Sequence, residues 1–360
     1  MFLFSMAATL RRISRIVPPF LLLQTLIGGS LACGQSRGGT EPVPSDAVPA
    51  ILQRFDNFPV VAIGDNHGCP ELHAFLIRLL QAPQFADKVN MIVVEFGNSL
   101  YQNVADDYVV EGKEVPTDQL VRVWRDTVGG TLAFDSPVYD RFFAAVRELN
   151  LRRPRQKRIR ILLGDPPIDW SKTTTKLEWG RILYRRDSHF ADVVEHEVFE
   201  RGLRALLVIG GAHLVRGIGE GNVTARIESK HPGTMFVIIP HSGFHRQNEE
   251  LEVRLASWKA PALAVLKGTW LGALHPGLRW AQMSAAKFYA PERASETPRL
   301  EDVADAWLFV GLRDGLTEEM PWPGIYRDDY WQELNRRFQI MWGRPMQPDD
   351  FNTKARYYVP

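Results

Sequence analysis

A chain of 360 residues, 45% hydrophobic and 24% charged, has room for one large or two modest α/β domains. It is not the composition of a disordered or membrane-embedded protein. Its 43 Lys and Arg nearly cancel its 42 Asp and Glu, so no global field draws it toward nucleic acid. The only cysteines are Cys33 and Cys69, which excludes a disulfide framework.

At the N-terminus, Arg11, Arg12 and Arg15 precede an apolar run over 16–27 and then the small residues Gly28-Gly29-Ser30-Leu31-Ala32-Cys33. Residues 1–33 thus have the order of a secretory signal: charge, apolar stretch, cleavage site. The apolar part is short and broken by Pro18 and Pro19, so a permanent transmembrane helix is not expected. Export is expected, to a bacterial periplasm or a membrane surface. Cys33 stands where a bacterial lipoprotein carries its lipidated cysteine, which would anchor the chain to the membrane. Leu31 is too close to Cys33 for a regular lipobox, and cleavage beside Ala32 accounts for the same residues. Residues 34–50, rich in Gly, Ser and Pro, read as a flexible tether.

From residue 51 onward short β-rich runs alternate with helical stretches. Strands are expected over 59–64, 89–95, 158–164, 204–210 and 234–240, with weaker ones over 262–266 and 306–310. Helices are expected near 70–82, 99–110, 117–127, 136–150, 174–201 and 328–341. Apolar strands separated by helices predict a single α/β domain over 51–360: a mostly parallel central sheet with helices on both faces. Six tryptophans between 270 and 342 mark an irregular, aromatic-rich C-terminal portion, read as packing. Six cations in 152–160 read as a solvated loop before a strand.

In an open parallel sheet, ligands bind beyond the carboxyl ends of the strands. Each of the first five strands ends in an ionisable residue: Asp65 and His67 in "VVAIGDNHG", Glu95 in "VVEFG", Asp165, His213 in "GGAH", and His241. A carboxylate beside a histidine can deprotonate water or hold an imidazole in one tautomer. Two histidines and a carboxylate (His67, Glu95, His213) can instead bind a divalent metal that generates hydroxide. Asp165 also suits a turn, as do His241 and His245 around Ser242-Gly243-Phe244. Cys69 reads as a small buried residue, and His196-Glu197 as a solvated helix face. Gly217, Gly219 and Gly221 follow a histidine loop and do not open a helix, so they are not read as a phosphate loop. No Gly-x-Ser-x-Gly elbow is present.

Together these pieces resemble the superfamily of erythromycin esterases, Tiki/TraB proteins and ChaN-like haem-uptake lipoproteins, and are most similar to the ChaN-like exported proteins. The resemblance rests on two Gly-x-x-His motifs (Gly64–His67 and Gly210–His213), on Glu95, and on "RRDSHFADVV" at 185–194, with Phe190 in a methionine's place. "VIGGAHLVRGIGEG" and His73, after the first motif, add to it. It is strongest over 58–240. Two departures are Asp65, where esterases and ChaN-like proteins usually have glutamate, and Gly68, where ChaN-like members tend to have aspartate.

The resemblance implies a hydrolase of the esterase or metallopeptidase kind, with His67, Glu95, His213, Asp65 and Arg186 as catalytic candidates. His73, Asp165 and His241 are then ligand-binding candidates, and the substrate a small molecule or peptide. The alternative it implies is a haem- or iron-binding lipoprotein without catalysis.

Overall fold

The computed structural model describes residues 39–129, 134–217, 221–241, 249–275, 298–319 and 329–347. The expected signal segment with Cys33, the start of the tether, Gly219, His245, Trp280 and Trp322 lie outside the described residues. No described helix is long and apolar enough to cross a membrane.

Among the described residues eight strands form one sheet. They are β1 (Ser45–Asp46), β2 (Val60–Asp65), β3 (Met91–Asn98), β4 (Arg160–Asp165), β5 (Ala205–Gly210), β6 (Met235–Pro240), β7 (Ala262–Val265) and β8 (Ala306–Phe309). Their order is β1-β7-β8-β6-β2-β5-β3-β4. The run from β8 to β4 is parallel throughout, and β7 and β1 close one edge antiparallel. The fold is α/β with a mostly parallel sheet, as the alternation of elements predicts.

The central strands are buried along their whole length because helices cover both faces. Alternate residues serve opposite layers, Val61 and Ile63 one, Val60 and Ala62 the other. The first layer is covered by α1 (Ala47–Arg54), α2 (Pro70–Leu80), α3 (Gln102–Val109) and α4 (Pro137–Leu151). Over the second lie α6 (Arg186–Val194) and α7 (Val223–Lys230). Two further helices, α5 (Lys176–Leu183) and α8 (Asp329–Trp342), pack on each other through Trp179 and Trp342. Local signals start several of these helices: Ser136 accepts from the Val138 amide with Pro137 at the first helical position, and Thr175 and Glu178 form a capping box.

Two expectations are corrected. The stretch expected to be a tether is part of the domain from residue 39 on. Ser45 and Asp46 pair with β7, Trp270 Nε1 donates to Glu41, and α1 begins at Ala47 under an Asp46 cap. Its Gly, Ser and Pro content suits a two-residue edge strand as well as a linker.

The helix expected over 174–201 is two helices and a π-helical turn, Glu195–Phe199, because the chain breaks after Leu183 and redirects Arg186 toward buried carboxylates. The C-terminal portion has the weaker strands expected over 262–266 and 306–310. It supplies β7 and β8 to the main sheet, and Trp307 of β8 is fully buried.

Candidate active site

β2, β5, β3 and β4 lie side by side and end at one edge of the sheet. The pleat sends Asp65 of β2 to the α2/α4 layer, alongside Val61 and Ile63, and Glu95 of β3 to the α6 layer, alongside Met91 and Val93. The pairing of β3 with β4 shifts between Val94 and Asn98, which places Glu95 in an irregularity of the kind that re-aims a side chain. His67, two residues past the end of β2, bridges the two faces. Its Nδ1 donates to Asp65 Oδ2 at 2.8 Å, and its Nε2 lies 3.9 Å from Glu95 Oε2.

Asp65 is enclosed, with a side-chain exposure of 0%. Besides His67 it accepts from His73 Nε2 at 3.0 Å and from the Tyr139 hydroxyl at 3.4 Å. That hydroxyl in turn accepts from the Gly68 amide at 3.1 Å. Gly68 sits at φ 74°, a conformation that favours glycine and that turns its N–H inward. Burial alone would raise the Asp65 pKa, but the charge of His73 and the hydrogen bonds from His67 and His73 outweigh it and hold the carboxyl well below the usual range. Asp65 is therefore an anion that orients His67, and Phe134 packs edge-on against the His67 ring at 4.9 Å.

Glu95 is the centre of the other half. Arg186 Nη2 donates to its Oε1 at 2.8 Å, the Gly210 amide donates to its Oε2 at 2.5 Å, and His213 Nε2 lies 3.5 Å from Oε1. Burial again opposes ionisation, and the facing cations, Arg186 foremost, prevail, so Glu95 stays well below the usual carboxylate range. Gly210 is a close-approach position: a Cβ there would sit 3.0 Å from Glu95 Oε2 and 3.5 Å from the His67 ring.

Arg186 also donates through Nε to Asp165 Oδ1 at 2.7 Å, while the Val128 amide holds Asp165 Oδ2. Burial raises the Asp165 pKa, only partly offset by Arg186. His213 is opposed as a cation by burial, but Glu95 and a 2.7 Å hydrogen bond from Nδ1 to Asp187 raise its pKa to about 9.

Seven of the eight side-chain candidates meet here: Asp65, His67, His73, Glu95, Asp165, Arg186 and His213. His73 and Asp165, expected to touch ligand, are enclosed behind Asp65 and Arg186 and brace them instead. His241 is not brought into the cluster; its ring lies among Glu252, Trp307 and Phe309.

Two participants were missed in the sequence. Asp187 was legible, as the neighbour of Arg186 in "RRDSH". Tyr139 carries no signal that separates it from the apolar face of α4. Cys69 is buried, and burial with Glu71 alongside pushes its thiol up to about 12, so it is no nucleophile.

The donor set does not fit the metal considered for His67, Glu95 and His213. Glu95 spends its oxygens on N–H donors and an adjacent guanidinium. Among the described residues no group of three His, Cys, Asp or Glu is arranged to hold a metal ion. Haem ligation fits no better: with Nδ1 of His67 and of His213 held by a carboxylate, Nε2 is the atom left to ligate, and in both it faces the buried Glu95. A cavity lined by Phe55, Phe58, Phe199 and Arg204 lies at the opposite edge, where β2 and β5 begin, and no histidine lines it.

No family model and no curated protein matches the chain. Among solved structures it is similar to a mutant of the erythromycin esterase EreC in its open conformation, at 11% identity and TM-score 0.46, over 72% of this chain and 92% of that one. A succinoglycan biosynthesis protein is similar at 10% identity and TM-score 0.49, over 75% and 94%. ChaN of Campylobacter jejuni, in a structure of cofacial haem binding, is similar at 14% identity and TM-score 0.36, over 54% and 85%.

Proposed function

We propose that the chain is an exported hydrolase of the erythromycin esterase type, in which His67 activates water for attack on a small-molecule or peptide substrate. The observation that carries this reading is the Asp65–His67 pair: an enclosed, ionised carboxylate on Nδ1, and a half-buried ring whose Nε2 looks toward Glu95. With its Nδ1 proton held by Asp65, His67 keeps the Nε2 lone pair for a proton. A water against Nε2 and Glu95 Oε2 gives that proton to His67 as its oxygen bonds to the substrate's acyl carbon. The tetrahedral oxyanion is stabilised by the imidazolium of His213, positioned by Asp187. When the bond to the leaving group breaks, His67 returns its proton to that group. Arg186 and the Gly210 amide keep Glu95 ionised and in place.

The test is turnover of a panel of esters and small amides by the purified protein before and after chelation. His67→Ala should lower turnover ~10²-fold or more, the usual scale of a general base, with the circular dichroism spectrum unchanged, and chelation should have no effect. Turnover that chelation removes and a divalent cation restores would overturn this mechanism, and so would a folded His67→Ala variant of full activity.

A further inference from the structure

Helix α5 departs from the packing of every other long helix: none of its residues is fully buried. One side, with Trp179, Ile182 and Leu183, leans on Val128, Ile168, Trp170 and Met341. The other is open. Leu177 is 65% exposed and Tyr184, whose backbone continues the helical conformation, is 89% exposed. They lie seven positions apart, two helical turns or ~10 Å along the axis, so both project from one face with Arg181 between them.

The charge on that face is net positive, three cations against the exposed Glu178. Lys176, Arg181 and Arg185 are exposed and make no ion pair among the described residues. The nearby acids are committed elsewhere. Glu178 accepts from the Thr174 and Thr175 amides in the capping box, and Asp169 holds Lys172 and the Ser171 amide.

We infer that this face of α5 docks on an anionic phospholipid surface. Protruding aliphatic and aromatic side chains flanked by lysine and arginine suit the boundary between headgroups and acyl chains. There the apolar groups leave water and the cations meet lipid phosphates. The face is one side of a single eight-residue helix, whereas a stable protein interface takes about 20–30 residues a side. A second copy would bring three like charges against three. Lipid requires no matching shape, and its charge is complementary. The turn that delivers Arg186 to the site then lies at the bilayer. The inference does not depend on what the site catalyses.

The test uses the full chain with Cys33→Ala, so that no acyl group contributes. It is sedimented with phosphatidylglycerol vesicles and with phosphatidylcholine vesicles, at low and high salt. Binding to the anionic vesicles only, weakened by salt, is expected. Leu177→Ser/Tyr184→Ser and Lys176→Glu/Arg181→Glu should each weaken it tenfold or more, on the scale of ~5-fold per cation near such a surface. Both pairs are exposed, so the melting temperature should stay that of the parent. Equal binding by parent and variants would place the contact elsewhere, for instance in residues 1–33, and overturn the inference. Equal binding to both vesicle types, or none to either, would overturn it as well.

Discussion

Asp65 accepts three side-chain hydrogen bonds in a fully enclosed position. Asparagine there would turn an amide N–H toward one of those donors and remove the charge that holds His67. Asp65→Asn is therefore expected to lower turnover at least ~10²-fold and to destabilise the fold by ~1–3 kcal/mol. Asp65→Glu, the residue usual in the proteins this sequence resembles, keeps the charge but adds a methylene to a closed space, at ~1–3 kcal/mol. Its turnover should fall between wild type and Asp65→Asn. A silent Asp65→Asn in both assays would make the residue a simple strand terminator.

His213 yields a prediction in pH. Its folded pKa is raised to about 9 from an ordinary 6.5, so its contribution to stability is complete below about 6.5 and is lost as pH rises through about 9. Turnover, which needs the imidazolium, should fall over the same alkaline limb. Asp187→Asn should move that limb toward neutral pH, as read from the pH–rate profile or the imidazole NMR titration. Asp65 and Glu95 work in the opposite direction: their pKa values are depressed, so their contribution is present above the ordinary carboxylate range and lost as pH falls through the folded values.

At the scale of elements, the site is held from two sides that substitutions can separate. The β5-to-helix turn acts directly, through Gly210. Its φ of −51° and ψ of 137° are open to any residue, so Gly210→Ala fails for want of space beside Glu95. Activity should drop with little change in melting temperature.

α8 acts at a distance. Arg337, buried, donates to Asp126 Oδ1, to Glu333 Oε1 and to the Arg125 carbonyl. It thereby fixes the segment whose Val128 amide holds Asp165. Arg337→Met removes one partner of a buried ion pair, a change worth ~3–5 kcal/mol. The melting temperature should fall well below that of Gly210→Ala.

At the scale of the whole molecule, the expected export segment and the chemistry of Cys69 bear on one compartment. If residues 1–33 direct lipidation, Cys33→Ala should let high salt extract the chain from the membrane fraction of a bacterial host, where the parent stays bound. Equal resistance of parent and variant to salt extraction would count against lipidation. Cys69 should be silent toward alkylating reagents in the native protein and react on unfolding, because its thiol is enclosed and pushed up to about 12.

The central strands were legible because a parallel strand buried on both faces is apolar along its length, and glycine or an ionisable residue marks its end. For the same reason the candidate residues at strand ends could be named from composition and position alone. The edge strand Ser45–Asp46 was not legible, since two residues carry no periodicity.

Other features belong to the tertiary structure alone. Asp65 and Glu95 lie on opposite faces of the sheet and share one histidine, and Tyr139, 74 residues from Asp65 in the chain, completes its shell. His73 and Asp165 stand behind Asp65 and Arg186, and His241 stands apart. Local pattern determines which residues reach a strand end. Which of them meet depends on strand order, β2-β5-β3-β4, set by the packing of distant segments.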